Sequence, residues 1–413
     1  MKLLYQLSLL FYQWLIALVS PFNVKAKQFR DGRINIFNKI QAAMASNNAP
    51  VAWFHCASVG EFEQARPVME LFKLKKPDYK ICLTFFSPSG YELRKNYAGA
   101  DWIFYLPVDS ATNAKRFVAL VKPSIALFTK YEFWYFYLKT LHEQQIPIYS
   151  FSAIFREKQV FFKPYGAFYR SFLQYFDHIF VQDETSLQLL QSIGVNKVSV
   201  AGDTRFDRVA EICANKKDIP LVQKFKGESL CMVIGSSWPQ DMEVLLPLMN
   251  NTTIQLKYII APHEIHASEI TALMAQIGKK SVRFSEANEN DIHQFDVLLI
   301  DNIGMLSSLY QYGEMAYVGG AFGKGLHNVL EPATFGMPVF FGPKYSKFNE
   351  AIQLIKVGGG FSIASSEALE SMVKKMYNDE LCRKQVSQIS RDYVLQHTGG
   401  SKSIVAYLLR HTF

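Results

Sequence analysis

A carboxylate follows the first strongly apolar run in the body of the chain, at a position suited to acid–base chemistry. The run VAWFHCA is followed by Ser58-Val59-Gly60-Glu61, which predicts a strand, a small turn and a helix whose first turn carries Glu61. A carboxylate there interacts favourably with the helix dipole, and capping is the more common role for such a residue. Held against a sugar hydroxyl, the same group acts as a general base. The residues alone leave both roles open.

A glycine-rich segment in the second half of the chain is suited to a phosphate-bearing ligand. Residues 319–332 (GGAFGKGLHNVLEP) follow the apolar run MAYV, and their glycines let backbone amides approach a ligand closely. The helix predicted to follow offers N–H groups and the positive end of its dipole to a phosphate. Asn328 and Glu331 share a helical face, where the carboxylate is placed to accept both hydroxyls of a ribose. The pattern fits a nucleotide sugar, and a plain glycine-rich turn capped by Asn328 is the alternative.

Two further turns follow apolar runs of the second half. Residues 301–306 (DNIGML) contain Gly304 and precede a predicted helix, whose N-terminus also suits a phosphate. Pro262 and His263 follow the run KYIIA and bring an imidazole to another strand end, where it pairs with a base or phosphate or simply closes a loop. Each of these signals is weak by itself.

These turns require strands that end at one edge of a parallel sheet. From Pro50 onward, short apolar runs alternate with amphipathic stretches, which is the pattern of parallel strands joined by crossover helices. A polar, lysine-rich stretch at residues 213–227 interrupts the alternation, and a second series of apolar runs follows it. The sequence therefore predicts an α/β fold of two Rossmann-like domains, at residues 35–210 and 222–395.

The first residues form an apolar segment suited to a membrane surface. Residues 3–19 are apolar apart from Gln6, Ser8 and Gln13, and the basic residues that follow are Lys25, Lys27, Arg30 and Arg33. The length is marginal for spanning, and the polar residues favour a shallow interfacial helix with the basic cluster on the cytoplasmic side. Residues 1–24 are therefore predicted to be a membrane anchor, with a buried N-terminal helix as the alternative.

The composition is that of a folded protein with anionic partners. The chain has 413 residues, of which 49% are hydrophobic, and a formal net charge of +8, which favours phosphorylated substrates or a negatively charged membrane face. Its basic residues are dispersed and no nucleic-acid recognition motif is present, so a nucleic-acid partner is not expected. The five cysteines show no CxxC or Cys/His spacing, so neither a disulfide framework nor a zinc site is indicated.

The ordered combination of these motifs with others resembles the family of 3-deoxy-D-manno-octulosonic acid (Kdo) transferases. The resemblance runs from the apolar N-terminal segment to about Gly360. It is carried by SVGE (58–61), TFFSPSG (84–90), YLPVD (105–109), YEFW (131–134), GDTRFD (202–207), GSSWPQDME (235–243), APHE (261–264), DNIGML (301–306), YVGGAFGKGLHNVLEP (317–332) and FGPKYSKF (341–348). Any one segment has little weight, but their order along one chain is specific.

The resemblance implies a glycosyltransferase of the GT-B type that moves Kdo from CMP-Kdo to a phosphorylated lipid A precursor, lipid IVA. It also implies that the two Rossmann-like domains face a central cleft and that the tail, residues 396–413, returns to the first domain. It implies work in lipopolysaccharide inner-core biosynthesis at the cytoplasmic face of the bacterial inner membrane, with no cofactor and no metal. Glu61 matches the family's general base. The positions that match its CMP-binding residues are Pro262, His263, Gly304, Met305, Leu306, Asn328, Val329, Leu330 and Glu331.

Three positions depart from the family pattern. Lys130 stands where common members have a glutamate assigned to transition-state stabilisation, Arg205 replaces a lysine, and His263 replaces an arginine. We expect Lys130 and Arg205 to be catalytic residues that hold the donor phosphate or the carboxylate of the sugar. The histidine removes a permanent charge. Two alternatives therefore stay open: a GT-B transferase or epimerase that uses a UDP- or GDP-sugar, and an inactive membrane-surface protein that binds glycans.

Overall fold

Two parallel sheets of seven strands organise the structure, a computed structural model that describes residues 1–251 and 253–412. The chain divides into two units. The first is Met1–Arg208 together with the C-terminal segment from Gly399 onward, and the second is Val209–Thr398.

The first unit contains the first sheet, in which the first strand of the sequence lies in the interior. They are β1 Val51–Cys56, β2 Lys80–Phe85, β3 Trp102–Tyr105, β4 Pro123–Thr129, β5 Ile148–Ala153, β6 His178–Val181 and β7 Val198–Val200. All pair in parallel, in the order β3-β2-β1-β4-β5-β6-β7. The chain builds outward from β1 to β3 and then crosses to β4 on the other side of β1. The carboxyl ends of β1 and β4 therefore form the switch point at which doubly wound sheets bind ligands.

The helices of the first unit cover this sheet and form its N-terminal extension. They are α1 Lys2–Val19, α2 Val24–Asp31, α3 Ile36–Met44, α4 Val59–Lys75, α5 Pro88–Arg94, α6 Ala111–Val121, α7 Tyr135–Glu143, α8 Ala167–Leu173, α9 Glu184–Ser192 and α10 Arg205–Ala214, within which the chain passes to the second unit. Two short 3-10 helices precede α8, at Val160–Phe162 and Pro164–Gly166.

Strand β1 is buried along its whole length, which explains its continuous apolar run. Trp53 and Phe54 are both 0% exposed and lie in different apolar clusters, because successive side chains of a strand point to opposite faces of the sheet. A parallel sheet covered on both faces gives such uninterrupted runs rather than an alternation. The predicted α/β fold is confirmed.

The second unit repeats this plan. Its strands are β8 Cys231–Ser237, β9 Lys257–Pro262, β10 Ser281–Arg283, β11 Val297–Leu299, β12 Met315–Val318, β13 Val339–Phe341 and β14 Gly360–Ser362. They pair in parallel in the order β10-β11-β9-β8-β12-β13-β14. Its switch point therefore lies between the ends of β8 and β12.

The helices of the second unit differ widely in length. They are α11 Pro220–Lys226, α12 Pro239–Asn250, α13 Ala267–Gln276, α14 Leu306–Leu309, α15 Leu330–Thr334, α16 Asn349–Val357, α17 Ser366–Asn378 and α18 Glu380–Gln396, with 3-10 helices at Phe284–Glu286, Ile292–Gln294 and Tyr310–Tyr312.

The last helix, α19 Gly400–His411, packs within the first unit. Asp207 accepts the N–H groups of Gly399 at 2.5 Å and Ser401 at 2.7 Å, which fixes the start of the helix. Ile404 and Leu408 are 0% exposed and complete the apolar cluster on one face of the first sheet.

Helix α1 carries exposed apolar side chains along most of its length. None of its residues is buried, and Leu3, Phe11 and Trp14 are among its exposed apolar side chains. In the described part of the chain, it is the one helix that is long and apolar enough to cross a membrane, judged by length and composition. Tyr5 nevertheless faces the first unit, where its hydroxyl donates to the Asp109 carboxylate at 2.6 Å.

The Tyr5–Asp109 hydrogen bond joins α1 to the loop after β3. Asp109 is 3% exposed and also accepts the N–H groups of Phe136 and Tyr137 in α7, each at 3.1 Å. Burial raises the pKa of Asp109 to about 6. Helix α1, which lies in the segment predicted to be a membrane anchor, is part of the first unit, and its Tyr5 supplies a donor to a buried carboxyl of that unit.

Replacing Tyr5 by Phe removes one of the hydrogen-bond donors to the buried Asp109 carboxyl. We expect the free energy of unfolding to fall by about 1–3 kcal/mol, measured by urea denaturation in detergent. Tyr12→Phe is the matched control, because the Tyr12 ring packs on Phe29 and Phe86 and its hydroxyl forms no hydrogen bond with the described residues. Equal losses in both variants would contradict a specific contribution from the Tyr5–Asp109 hydrogen bond, since both substitutions keep the ring and remove only a hydroxyl.

Candidate active site

Glu61 lies in the first turn of α4, directly after the carboxyl end of β1. Its side chain is partly buried, and its Oε2 accepts the N–H of Ala57 at 2.5 Å. This bond runs back to the turn before the helix, as expected of a capping carboxylate. Glu61 therefore closes the turn before α4 and stands at the switch point of the sheet, where a ligand is expected to bind.

A buried chain of hydrogen bonds ties the neighbouring strand ends together. The indole N–H of Trp53 donates to the Thr84 hydroxyl at 2.8 Å, and that hydroxyl lies 2.8 Å from Nδ1 of His55. Nε2 of His55 lies 2.9 Å from Oε2 of Glu132, which also accepts the indole N–H of Trp134 at 2.7 Å. Because its partner is a carboxylate, Nε2 of His55 is assigned as the donor in the bond to Glu132. The chain of bonds thus crosses β2, β1 and the end of β4.

Two carboxyls and one ammonium act on each other at this switch point. Burial and the Glu132 carboxylate raise the pKa of Glu61 to about 8, against the opposing effects of the Ala57 N–H and of Lys130. Lys130 follows β4 directly, with its backbone in the left-handed region at a φ of 63°. The structure therefore brings Glu61 and Lys130 together, and the cation favours the ionised form of Glu61.

Arg205 is linked to α4 indirectly, through Asp203. Its Nη2 and Nε donate to Oδ2 of Asp203 at 2.7 and 2.9 Å, and Oδ1 of Asp203 accepts Nε2 of Gln64 at 3.0 Å. Burial favours the neutral form of Asp203, but the Arg205 guanidinium and these hydrogen bonds hold its pKa below the usual value. Gln64 lies one turn after Glu61 in α4, so the ion pair fixes the helix that carries the base.

Three aromatic rings stack at the switch point of the second sheet. Trp238 follows β8, His263 follows β9, and His327 lies in the glycine-rich loop after β12. The ring centroids of Trp238 and His263 are 4.4 Å apart, and those of His263 and His327 are 4.5 Å apart. The indole N–H of Trp238 donates to Nε2 of His327 at 3.3 Å. Burial and the neighbouring His263 lower the pKa of His327 to about 4, so this imidazole is neutral at physiological pH and able to accept.

A cavity of about 520 Å³ opens beside this stack. Trp238, Pro262 and Lys324 line it together with side chains of α12 and α13. The Lys324 ammonium lies 5.3 Å from the centre of the Trp238 ring. A flat aromatic surface beside a cation suits a nucleotide, whose base stacks and whose phosphate is negatively charged.

Asp241 fixes the glycine-rich loop to the start of α12. Its carboxylate is 0% exposed and accepts the N–H of Trp238 at 2.9 Å, the N–H of Gly320 at 2.8 Å and the hydroxyl of Tyr317 at 3.0 Å. Gly320 has a φ of 96°, and a Cβ there would lie 2.2 Å from the backbone oxygen of Gly325. This glycine is required for the loop to fold onto itself, in addition to any approach by a ligand.

The two other predicted CMP-binding segments meet at Glu331. Its Oε2 accepts the Ser307 hydroxyl at 2.9 Å, and its Oε1 accepts Nδ2 of Asn328 at 3.1 Å. Oδ1 of Asn328 accepts the N–H of Leu330 at 3.1 Å, so this asparagine caps the turn that follows it. Gly304 is exposed in a left-handed turn with a φ of 94°.

The helices after these segments are short. Helix α14 has four residues and α15 has five, and the N–H of Leu330 is already bonded. So short a helix sums few peptide dipoles, and it offers little to a phosphate. Lys324 and the imidazole of His263 are the side chains at this switch point that suit a phosphate.

Four side chains at these two switch points were not predicted as functional from the sequence, namely His55, Glu132, Trp238 and His327. His55 lies inside an apolar run and pairs with a carboxylate 77 residues away, so no local spacing reveals the contact. Trp238 follows a strand end directly, and that position was a usable signal for it.

Comparisons with known proteins identify relatives of the chain by sequence. The family model described as 3-deoxy-D-manno-octulosonic-acid transferase (kdotransferase) matches residues 32–208. The 3-deoxy-D-manno-octulosonic acid transferase of Chlamydophila psittaci is 30% identical over 328 residues, which cover 75% of this chain and 74% of that protein. The protein of the same name from Aquifex aeolicus is 29% identical over 330 residues, which cover 78% of this chain and 85% of that protein.

Solved structures share the fold at low identity. The UDP-GlcNAc 2-epimerase of Neisseria meningitidis superposes with a TM-score of 0.62 and 18% identity, over 87% of this chain and 99% of that chain. MurG of Acinetobacter baumannii gives a TM-score of 0.56 and 11% identity, over 87% of this chain and 100% of that chain. These likenesses confirm the predicted GT-B arrangement of two Rossmann-like domains. The identity to curated relatives over three quarters of its length shows that the chain belongs to the 3-deoxy-D-manno-octulosonic acid transferase family.

Proposed function

We propose that this protein transfers Kdo from CMP-Kdo to lipid IVA, a phosphorylated lipid A precursor, and releases CMP. Membership of the family makes it a glycosyltransferase, and its relatives are named for transfer of this sugar. The observation that carries the proposal is Glu61 at the switch point of the first sheet, acted on by Glu132 and Lys130. We place the reaction in lipopolysaccharide inner-core biosynthesis at the cytoplasmic face of the inner membrane, supported by the exposed apolar side chains of α1.

In the proposed reaction, an acceptor hydroxyl oxygen forms a bond to the anomeric carbon of Kdo. The bond between that carbon and the phosphate oxygen breaks, and CMP leaves with the electron pair. Glu61 accepts the hydroxyl proton as the new bond forms. Because CMP is already a good leaving group, the protein chiefly positions the acceptor and stabilises charge.

Lys130 controls how much of Glu61 is available as a base. With a pKa of about 8, most Glu61 carboxyls are protonated at pH 7 before a substrate binds. The ammonium opposes this protonation, and it also offers a positive charge to the phosphate or carboxylate of the donor. Arg205 supports the base from the other side by fixing α4 through Asp203 and Gln64.

In the second unit, we assign the nucleotide to the switch point between β8 and β12. The Trp238 ring and Lys324 suit the base and phosphate, and His263 takes the place of the family's arginine. Glu331 binds the ribose hydroxyls in exchange for its present bonds to Ser307 and Asn328. The likeness to UDP-GlcNAc 2-epimerases concerns the fold alone and does not identify the donor. Use of a UDP- or GDP-sugar, or glycan binding without transfer, would contradict this proposal.

Glu61→Gln keeps the shape of the side chain and its ability to accept the Ala57 N–H, but removes its basicity. We expect turnover of CMP-Kdo with lipid IVA to fall by about 10²- to 10⁴-fold, with CMP affinity and thermal midpoint unchanged. Glu63→Gln is the matched control on the same helix, because Glu63 pairs with Arg94 and has no role in the reaction. A loss of stability with normal turnover of the folded fraction would reduce Glu61 to a helix cap.

Lys130→Gln removes the cation that favours ionised Glu61. A general base works only when deprotonated, so kcat/KM rises as the pH rises through the pKa of Glu61. Without the cation that pKa is higher, and we expect the acidic limb of the pH profile to move to higher pH. Lys130→Arg keeps the charge and leaves the limb in place. A limb that stays put or moves to lower pH in Lys130→Gln contradicts the assignment.

Glu331→Gln tests the ribose contact. We expect the Kd for CMP, measured by calorimetry, to rise by roughly tenfold, the size expected for one hydrogen bond to a charged group. Ser307→Ala removes a partner of Glu331 but keeps its carboxylate, so CMP affinity stays near that of the wild type. An unchanged affinity in Glu331→Gln excludes the ribose role.

A further inference from the structure

A polar cavity of about 340 Å³ lies beside α1 in the first unit. Gln13, Arg33, Asn38, Asn113 and Arg116 line it, and we call it the arginine cavity. None of these residues takes part in the chemistry proposed above. Gln13 is one of the polar residues that interrupt the apolar sequence of α1, and its place in this polar wall explains that interruption.

The two guanidiniums of the arginine cavity form no ion pair with a carboxylate among residues 1–251 and 253–412. Arg33 donates from Nε, Nη1 and Nη2 to the backbone oxygens of Leu106, Phe29 and Phe86 at 2.9, 2.9 and 2.7 Å. Burial lowers the pKa of Arg33 only to about 10, so it stays charged at neutral pH. Arg116 is exposed and lies over an aromatic ring, 4.5 Å from its centroid.

The surroundings of the cavity reinforce its positive potential. Helix α3 begins there at Ile36, its first turn contains no acidic residue, and the Asn35 side chain does not cap it. The positive end of the α3 dipole therefore adds to both guanidiniums. Asp109 follows Val108, a residue of the cavity wall, but its carboxylate accepts hydrogen bonds from Tyr5 and α7. The component that this arrangement lacks is an anion, and guanidiniums are suited to the oxygens of a phosphate.

The position of the cavity connects the membrane-facing helix to the catalytic edge of the sheet. Leu10 and Trp14, which flank Gln13 on α1, are exposed apolar side chains. Arg33 binds the backbone directly after β2 and β3, at the same edge as Glu61 after β1. Since neighbouring strands are about 4.8 Å apart, the end of β3 lies on the order of 10 Å from that of β1. One amphiphilic molecule can therefore reach both places.

We propose that the arginine cavity binds a phosphate group of the glycolipid acceptor and so orients its hydroxyl toward Glu61. This assignment of the acceptor subsite rests on the proposed function. The headgroup of a membrane phospholipid carries the same chemistry, and the experiment separates the two sources.

Equilibrium binding in detergent, without any donor, tests the proposal independently of sugar transfer. The probes are a tetra-acylated lipid A precursor with its phosphates and the same lipid after phosphatase treatment. Arg116→Gln removes one guanidinium, and Asn38→Asp places a negative charge in the cavity at the start of α3, where an aspartate favours the helix. Lys115→Gln is the matched control, because it removes a charge from the same helix but Lys115 does not line the cavity.

We expect Arg116→Gln and Asn38→Asp to weaken binding of the phosphorylated lipid by roughly tenfold, the size of one charge-assisted hydrogen bond. Lys115→Gln should bind normally, and all proteins should bind the dephosphorylated lipid equally. Flotation with vesicles of phosphatidylcholine and phosphatidylglycerol should be unchanged in every variant. Normal binding of the phosphorylated lipid by both cavity variants overturns the proposal. A defect confined to flotation overturns it too and assigns the cavity to phospholipid headgroups. If binding changes as expected while CMP-Kdo is never turned over, the proposed function fails and the phosphate site stands.

Discussion

The hydrogen bond between His55 and the buried Glu132 is the constraint on which the first site depends. A carboxylate that is 7% exposed persists in a core only when donors surround it, and here an imidazole and an indole supply them. Removing either donor would leave this buried carboxylate with one donor instead of two, which is unfavourable in a core. The same carboxylate fixes the end of β4 against β1 and raises the pKa of the nearby base. The Glu132 carboxylate thus contributes both to the packing of β4 against β1 and to the pKa of Glu61.

In the second unit, the buried carboxylate of Asp241 likewise holds neighbouring segments together through several hydrogen bonds. Asp241 joins the start of α12 to the glycine-rich loop, and the aromatic stack is built on the turn that it holds. Burial also shifts titration in both units, since it raises the pKa of Glu61 and lowers that of His327. Each shift favours the neutral form, as expected where water is excluded and no ligand charge is present. Binding of a charged donor and acceptor changes that balance.

Much of the fold was predictable because it depends on local patterns. Continuous apolar runs such as that containing Trp53 identify buried parallel strands, and a turn at each strand end locates Glu61 and Glu331 near the ligand-binding edges. The partnership of His55 with Glu132 was not predictable, because it joins residues far apart in sequence through tertiary packing. The hydrogen bond between Tyr5 and Asp109 was not predictable for the same reason, since it joins residues 104 positions apart in the sequence. Helices α14 and α15 are short, and neither has a side-chain hydrogen bond at its N-cap. In so short a segment, intrinsic helix propensity has little effect.

Incubating the full-length protein with lipid IVA and either CMP-Kdo or a UDP-sugar, followed by mass analysis of the glycolipid, tests the central claim most directly. The account predicts a product heavier by Kdo and an equal amount of released CMP with CMP-Kdo alone. A glycolipid that is unchanged by CMP-Kdo, or modified when the UDP-sugar is the donor, would contradict it.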